Sequence, residues 1–271
     1  MDMRSRSLSN YANTARVLRF SFCAKRQTTK TPLFERRGNL TRRASSERTQ
    51  KIWGDDGYRI FLSHKAEVKR EAGALKDKLG LFGATCFVAH EDIQPTKAWQ
   101  DEIENALKSM DAFVALLTKK YHYSKWTDQE VGFAVCRGVP VIAVRFDIDP
   151  YGFIGKFQAL SSDWENAPVE IARLLIKQPR MLEAYIAALP KCFRFDDGNT
   201  LSRVLPDIEE LTPEQADKMV SAYNKDSQLQ GSWGFNGSRP SMFGDGLAAH
   251  LSRATGRKFT MGRDGQILKK S

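Results

Sequence analysis

The sequence predicts an α/β fold, a parallel sheet covered by helices, and three observations carry that expectation. Short strand-like runs recur at residues 58–64, 84–88, 111–118 and 139–144, and those at 111–118 and 139–144 are apolar enough for strands buried on both faces. Between them lie stretches with apolar residues at helical spacing, so strand and helix alternate as right-handed crossovers between parallel strands require. A chain of 271 residues with 41% apolar content is also long enough to bury a substantial core.

Taken in order, residues 1–56 are rich in Ser, Thr and Arg and poor in acids, and they predict a disordered basic tail. Tyr58 to His64 reads as the first strand. Ala72, Leu75, Leu79 and Phe82 mark one face of a helix that stops near Gly83, and Ala84 to Val88 is the second strand. A polar loop from His90 to Lys97 leads to a helix with Ile103, Ala106, Leu107 and Met110 on one face. The strand at Asp111, a helix beginning near Ser124 and the strand at Val139 follow. Residues 149–160 are glycine-rich and then read as helical, and helices are expected at 168–177 and 181–189.

Asp196 to Asn199 reads as a turn cluster and divides the chain into a main domain, 57–195, and a small C-terminal region, 196–271. That region predicts helices at 201–211, 213–223 and 242–255, with Thr212 as N-cap and Pro213 at the first helical position. It ends in a hairpin around Asp264 and Gly265. The Gln228 to Gly237 stretch reads as a loop.

The net charge of +10 is not spread over the fold. Residues 1–51 hold 13 of the 42 Lys and Arg against 3 of the 32 acids, leaving 29 of each in the remainder. A neutral folded part argues against nucleic acid as a partner. The absence of a long apolar run argues against a membrane span, and the expectation is a cytoplasmic protein. Cys23, Cys86, Cys136 and Cys192 are scattered, as suits reduced thiols. With no His, Cys or carboxylate grouping at ligand spacing, no metal is expected.

The stretch Ser124 to Val131 concentrates the chemistry. Trp126 and Glu130 stand four apart, hence on one helix face, and a helix leaving the carboxyl end of a buried parallel strand opens towards the crevice where α/β sheets take ligands. The same residues admit a plainer reading, since Thr127 to Glu130 fits a capping box that would merely start the helix. Lys119, Lys120 and Lys125 lie beside the site and read as a solvated loop.

Four segments occur in an order and spacing that resemble a Toll/interleukin-1 receptor (TIR) domain of the bacterial type. They are Ile60-Phe61-Leu62-Ser63-His64, the Glu91-Asp92-Ile93-Gln94-Pro95-Thr96 loop, Trp99 to Leu107, and Ser124 to Glu130. The resemblance implies a flavodoxin-like, five-stranded parallel sheet in which residues 91–96 are the BB loop used for self-association, with Thr96 where many bacterial members have glycine. It further implies either an enzyme that cleaves the nicotinamide-ribose bond of NAD+, or a non-enzymatic adaptor that signals by protein contacts.

For the enzyme, the resemblance assigns Glu130 as the catalytic acid. It places Trp126, Trp99, Ser63, His64 and Lys65 around NAD+, which is the substrate, so that no cofactor is required. Possible protein partners are an upstream sensor or a downstream effector. The chemistry is consistent with one acid: nicotinamide leaves as a neutral molecule, so no general acid is needed, and a carboxylate stabilises the ribosyl cation left behind.

Overall fold

Residues 47–54, 57–88 and 97–270 are described by the computed structural model of the chain. The basic tail up to residue 46, Cys23, His90 and the loop residues Glu91, Asp92, Ile93, Gln94, Pro95 and Thr96 lie outside the described residues.

A short helix, α1 (residues 47–53), precedes the sheet. The expected alternation then follows as β1 (Tyr58–Ser63), α2 (Lys69–Gly80), β2 (Ala84–Val88), α3 (Lys97–Ser109), β3 (Ala112–Leu117), α4 (Thr127–Arg137), β4 (Val141–Arg145) and β5 (Leu160–Ser161). All pairings in this sheet are parallel, and the strand order is β2-β1-β3-β4-β5. Because β1 leads outwards to β2 on one side while the chain returns to β3 on the other, the connections diverge between β1 and β3. The crevice beyond the carboxyl ends of those two strands is where such a sheet binds ligands.

The central strand β3 is buried at all six positions. Its alternation divides the core: Ala112, Val114 and Leu116 join the cluster with Ala72, Leu75 and Leu79 of α2, whereas Phe113, Ala115 and Leu117 join Ile103, Ala106 and Leu107 of α3 with Val131 and Ala134 of α4. Gly83 makes the turn from α2 into β2 at φ +81°, and a Cβ there would stand 2.2 Å from the carbonyl oxygen of Ala184.

After the sheet come α5 (Ala167–Leu175), α6 (Pro179–Ala188), α7 (Phe195–Ser202), α8 (Pro213–Lys225), α9 (Ser227–Gly231), α10 (Trp233–Asn236), α11 (Pro240–Phe243), α12 (Gly246–Thr255) and the antiparallel hairpin β6 (Lys258–Met261) and β7 (Ile267–Lys270). The first core cluster continues through them without a break, taking in Tyr185, Leu201, Met219, Phe235, Leu251 and Ile267. Thr212 caps α8 as expected, its hydroxyl accepting from the Gln215 amide while the Gln215 side chain accepts from the Thr212 amide.

Five expectations are corrected. Residues 149–160 hold a 3-10 turn (Gly152–Ile154) and the two-residue β5, held by its pairing with β4, rather than a helix. Asp196 to Asn199 is the body of α7, because Arg194 pairs with Asp197 and Gly198 lies against the Ser232 side chain, leaving no room for a surface turn. The helix expected over 201–211 reduces to the end of α7 and a 3-10 turn (Leu205–Asp207), and that over 242–255 is broken at Gly244 with φ +86°. Finally, 228–237 forms two short helices that bury Leu229 and Phe235.

Candidate functional site

The site forms where β1 and β3 end. Ser63, the last residue of β1, pairs in register with Ala115 of β3. Beyond β3, a 3-10 turn (Tyr121–Tyr123) leads into α4. The α4 N-cap position is held by Trp126, which makes no side-chain cap bond; Ser124 Oγ instead accepts from the Trp126 amide at 3.2 Å. Thr127 directs its hydroxyl to the Tyr121 carbonyl at 2.8 Å, fixing the first turn of the helix to the loop before it.

That arrangement decides how Glu130 is used. Thr127 lies inside α4 and is committed to Tyr121, so the capping-box reading fails. Glu130 crosses to the end of β1, where Ser63 Oγ donates to Oε2 at 2.6 Å, the length of a charge-assisted hydroxyl bond. Ser63 Oγ also lies 2.7 Å from the Tyr121 hydroxyl. The three side chains are 0% (Ser63), 0% (Tyr121) and 3% (Glu130) exposed, so a carboxylate, a serine and a tyrosine are packed together away from water at the strand ends. Burial, and next the nearby Glu130 carboxylate, push the Tyr121 phenol well above its ordinary range, which keeps its proton in place.

Trp126, one helical turn before Glu130, is partly exposed and meets Trp99 of α3 edge to face, their ring centroids 5.4 Å apart. His64 is buried, with Nδ1 3.4 Å from the Leu62 carbonyl. Lys65 is half-buried at the start of the 3-10 turn (Ala66–Val68). The structure therefore brings Ser63 to Glu130 and Trp99 to Trp126. Lys119, Lys120 and Lys125 are exposed, and Lys120 Nζ reaches Glu67 across the strand ends at 3.0 Å. At the other edge of α4, the Tyr151 hydroxyl donates to Asp128 at 2.6 Å.

One surface cavity runs along α2, lined by Lys69, Arg70 and Lys76 with Val88, and another lies between α6 and α8. Neither is lined by Glu130. Tyr121 is a member of the site that the sequence does not single out. Its place four residues beyond β3, between a lysine and a histidine, gives no linear sign that the ring turns inward.

Residues 60–175 match the family model described as a TIR domain. Over that stretch the chain is similar to TIR domains. Among solved structures, the TIR domain of a Toll-related receptor from the lower metazoan Hydra magnipapillata aligns over 44% of this chain and 95% of its own. Its sequence identity is 15% and its TM-score 0.36. No curated protein matches the chain. The matched stretch holds every described residue of the candidate site.

Among the described residues no group of His, Cys and carboxylates is placed to hold a metal ion, and no helix is long and apolar enough to cross a membrane.

Proposed function

We propose that this chain is a TIR-domain NAD+ nucleosidase, which breaks the nicotinamide-ribose bond to release nicotinamide and ADP-ribose or a cyclic ADP-ribose. Its setting is signalling or antiphage defence, with activity switched on when chains self-associate through the loop at 91–96. One observation carries the reading: Glu130 is withdrawn from helix capping and held by Ser63 at the carboxyl ends of β1 and β3, where a sheet of this strand order takes nucleotides.

In the mechanism the carboxylate faces the ribose. As the bond to the pyridinium nitrogen stretches, its electron pair moves onto the ring, nicotinamide departs neutral and positive charge grows on C1 of the ribose. Glu130 stabilises that charge in a low-dielectric site. Water then attacks C1 and loses a proton to give ADP-ribose, or an adenine nitrogen attacks and closes the cyclic product. Trp126 and Trp99 offer indole faces to the nicotinamide end, which is cationic before cleavage.

A second reading, a non-enzymatic adaptor, is favoured by the 3% exposure of Glu130, because a surface used only for protein contacts needs no access to that acid. The two part on one experiment. Concentrated, self-associated protein is incubated with NAD+ and the products are identified by mass. The nucleosidase releases nicotinamide, and Glu130→Gln lowers the rate by about 10²- to 10³-fold or more while the fold persists. Intact NAD+ in the presence of assembled native protein establishes the adaptor.

A further inference from the structure

We propose that Tyr121 is a positioning residue for Glu130, acting through Ser63, an inference that rests on the nucleosidase reading above. The assignment follows from counting protons. A serine hydroxyl carries one, and that of Ser63 goes to Glu130 Oε2 at 2.6 Å. The 2.7 Å bond between Ser63 and the Tyr121 hydroxyl therefore runs with the tyrosine as donor. The result is a one-way chain, Tyr121 to Ser63 to Glu130, with its negative end at the carboxylate.

Its members are at most 3% exposed, so each link is shielded from water and polarises the next. Tyr121 also holds the helix that carries the acid, since its carbonyl accepts from the Thr127 hydroxyl at 2.8 Å and the Ser124 amide at 3.2 Å. The phenol thus fixes the carboxylate through Ser63 while the peptide fixes the first turn of α4. Replacing only the phenol oxygen separates the two roles.

The test uses the full chain with Tyr121→Phe, Ser63→Ala and the double variant. Tyr121→Phe lowers kcat by about tenfold with little change in KM, the size expected for weakening one charge-assisted bond. It also moves the acid limb of the pH profile upwards, because the carboxylate is left less well stabilised. As the tyrosine works through the serine, the double variant is no slower than Ser63→Ala alone. Multiplying effects, or an unchanged pH profile in Tyr121→Phe, overturn the proposal.

A carboxyl NMR titration of Glu130 serves as a measurement independent of catalysis. The Glu130 midpoint rises by about one pH unit in Tyr121→Phe, and an unmoved midpoint refutes the chain of donors. Native protein that leaves NAD+ intact refutes the nucleosidase reading instead, and the NMR result then still decides whether Tyr121 holds the carboxylate.

Discussion

His250 ties the stability of the C-terminal region to pH. It lies on the inner side of α12, 5% exposed, and its Nε2 finds no hydrogen-bond partner among the described residues. Burial, and secondarily the positive charge of Arg253, push its pKa down from 6.5 to about 4. In the fold the ring is therefore neutral over a range where the unfolded chain's ring takes up a proton. The unfolded state binds more protons between pH 6.5 and about 4, so stability is fully present above that window and is lost as pH falls through it.

At 1.36 kcal/mol for each pH unit, the loss by pH 4.5 is about 2–3 kcal/mol. Urea unfolding of the native chain and of His250→Leu at pH 7.5 and 4.5 reads it directly, because Leu has no proton to gain while Arg253 keeps its charge at both values. The native chain should lose about 2–3 kcal/mol more than the variant on acidification. Equal losses in the two proteins refute the linkage. His250→Gln supplies the same comparison should the Leu variant fold poorly.

Two further substitutions probe the frame that holds the site. Gly83→Ala drives a methyl group against the Ala184 carbonyl at a φ of +81°, and since the obstacle is backbone the expected loss is roughly 2–5 kcal/mol by urea unfolding. Thr212→Ala removes the reciprocal cap of α8 and should lower stability by about 1 kcal/mol, seen as a lower urea midpoint at unchanged slope.

Strands and helices with a strong apolar period are legible in the sequence itself. Ala72, Leu75 and Leu79 face the core as their spacing requires, and the six residues of β3 read as buried on both sides because none is polar. What the linear pattern does not carry is structure fixed by neighbours. β5 is two residues long and exists through its pairing with β4, too little sequence to carry a period. Asp196 to Asn199 has turn composition, yet Asp197 is neutralised by Arg194 and Gly198 is needed for close approach to Ser232.

In the site, the spacing of Trp126 and Glu130 and the capping-box pattern of Thr127 to Glu130 set out the two candidate roles for the acid. The choice between them needs the third dimension, since only the fold brings Ser63 across 67 positions to meet Glu130. The same holds for Tyr121, whose partner Ser63 lies 58 positions away. The loop at 91–96 lies outside the described residues.

The unbroken apolar cluster that runs from Tyr58 through α6 to Ile267 bears on how this protein can be cut. The family match stops at residue 175, just before α6, whose Met181, Leu182, Tyr185 and Ile186 are all buried. Tyr185 also donates its phenol to the Leu201 carbonyl at 3.0 Å, joining α6 to α7. Excising the matched stretch alone would strip the sheet of that cover and leave greasy surface in water, inviting clumping. Any inactivity of such a fragment would then report on damaged packing, and the residues after 175 are the outer wall of the same building.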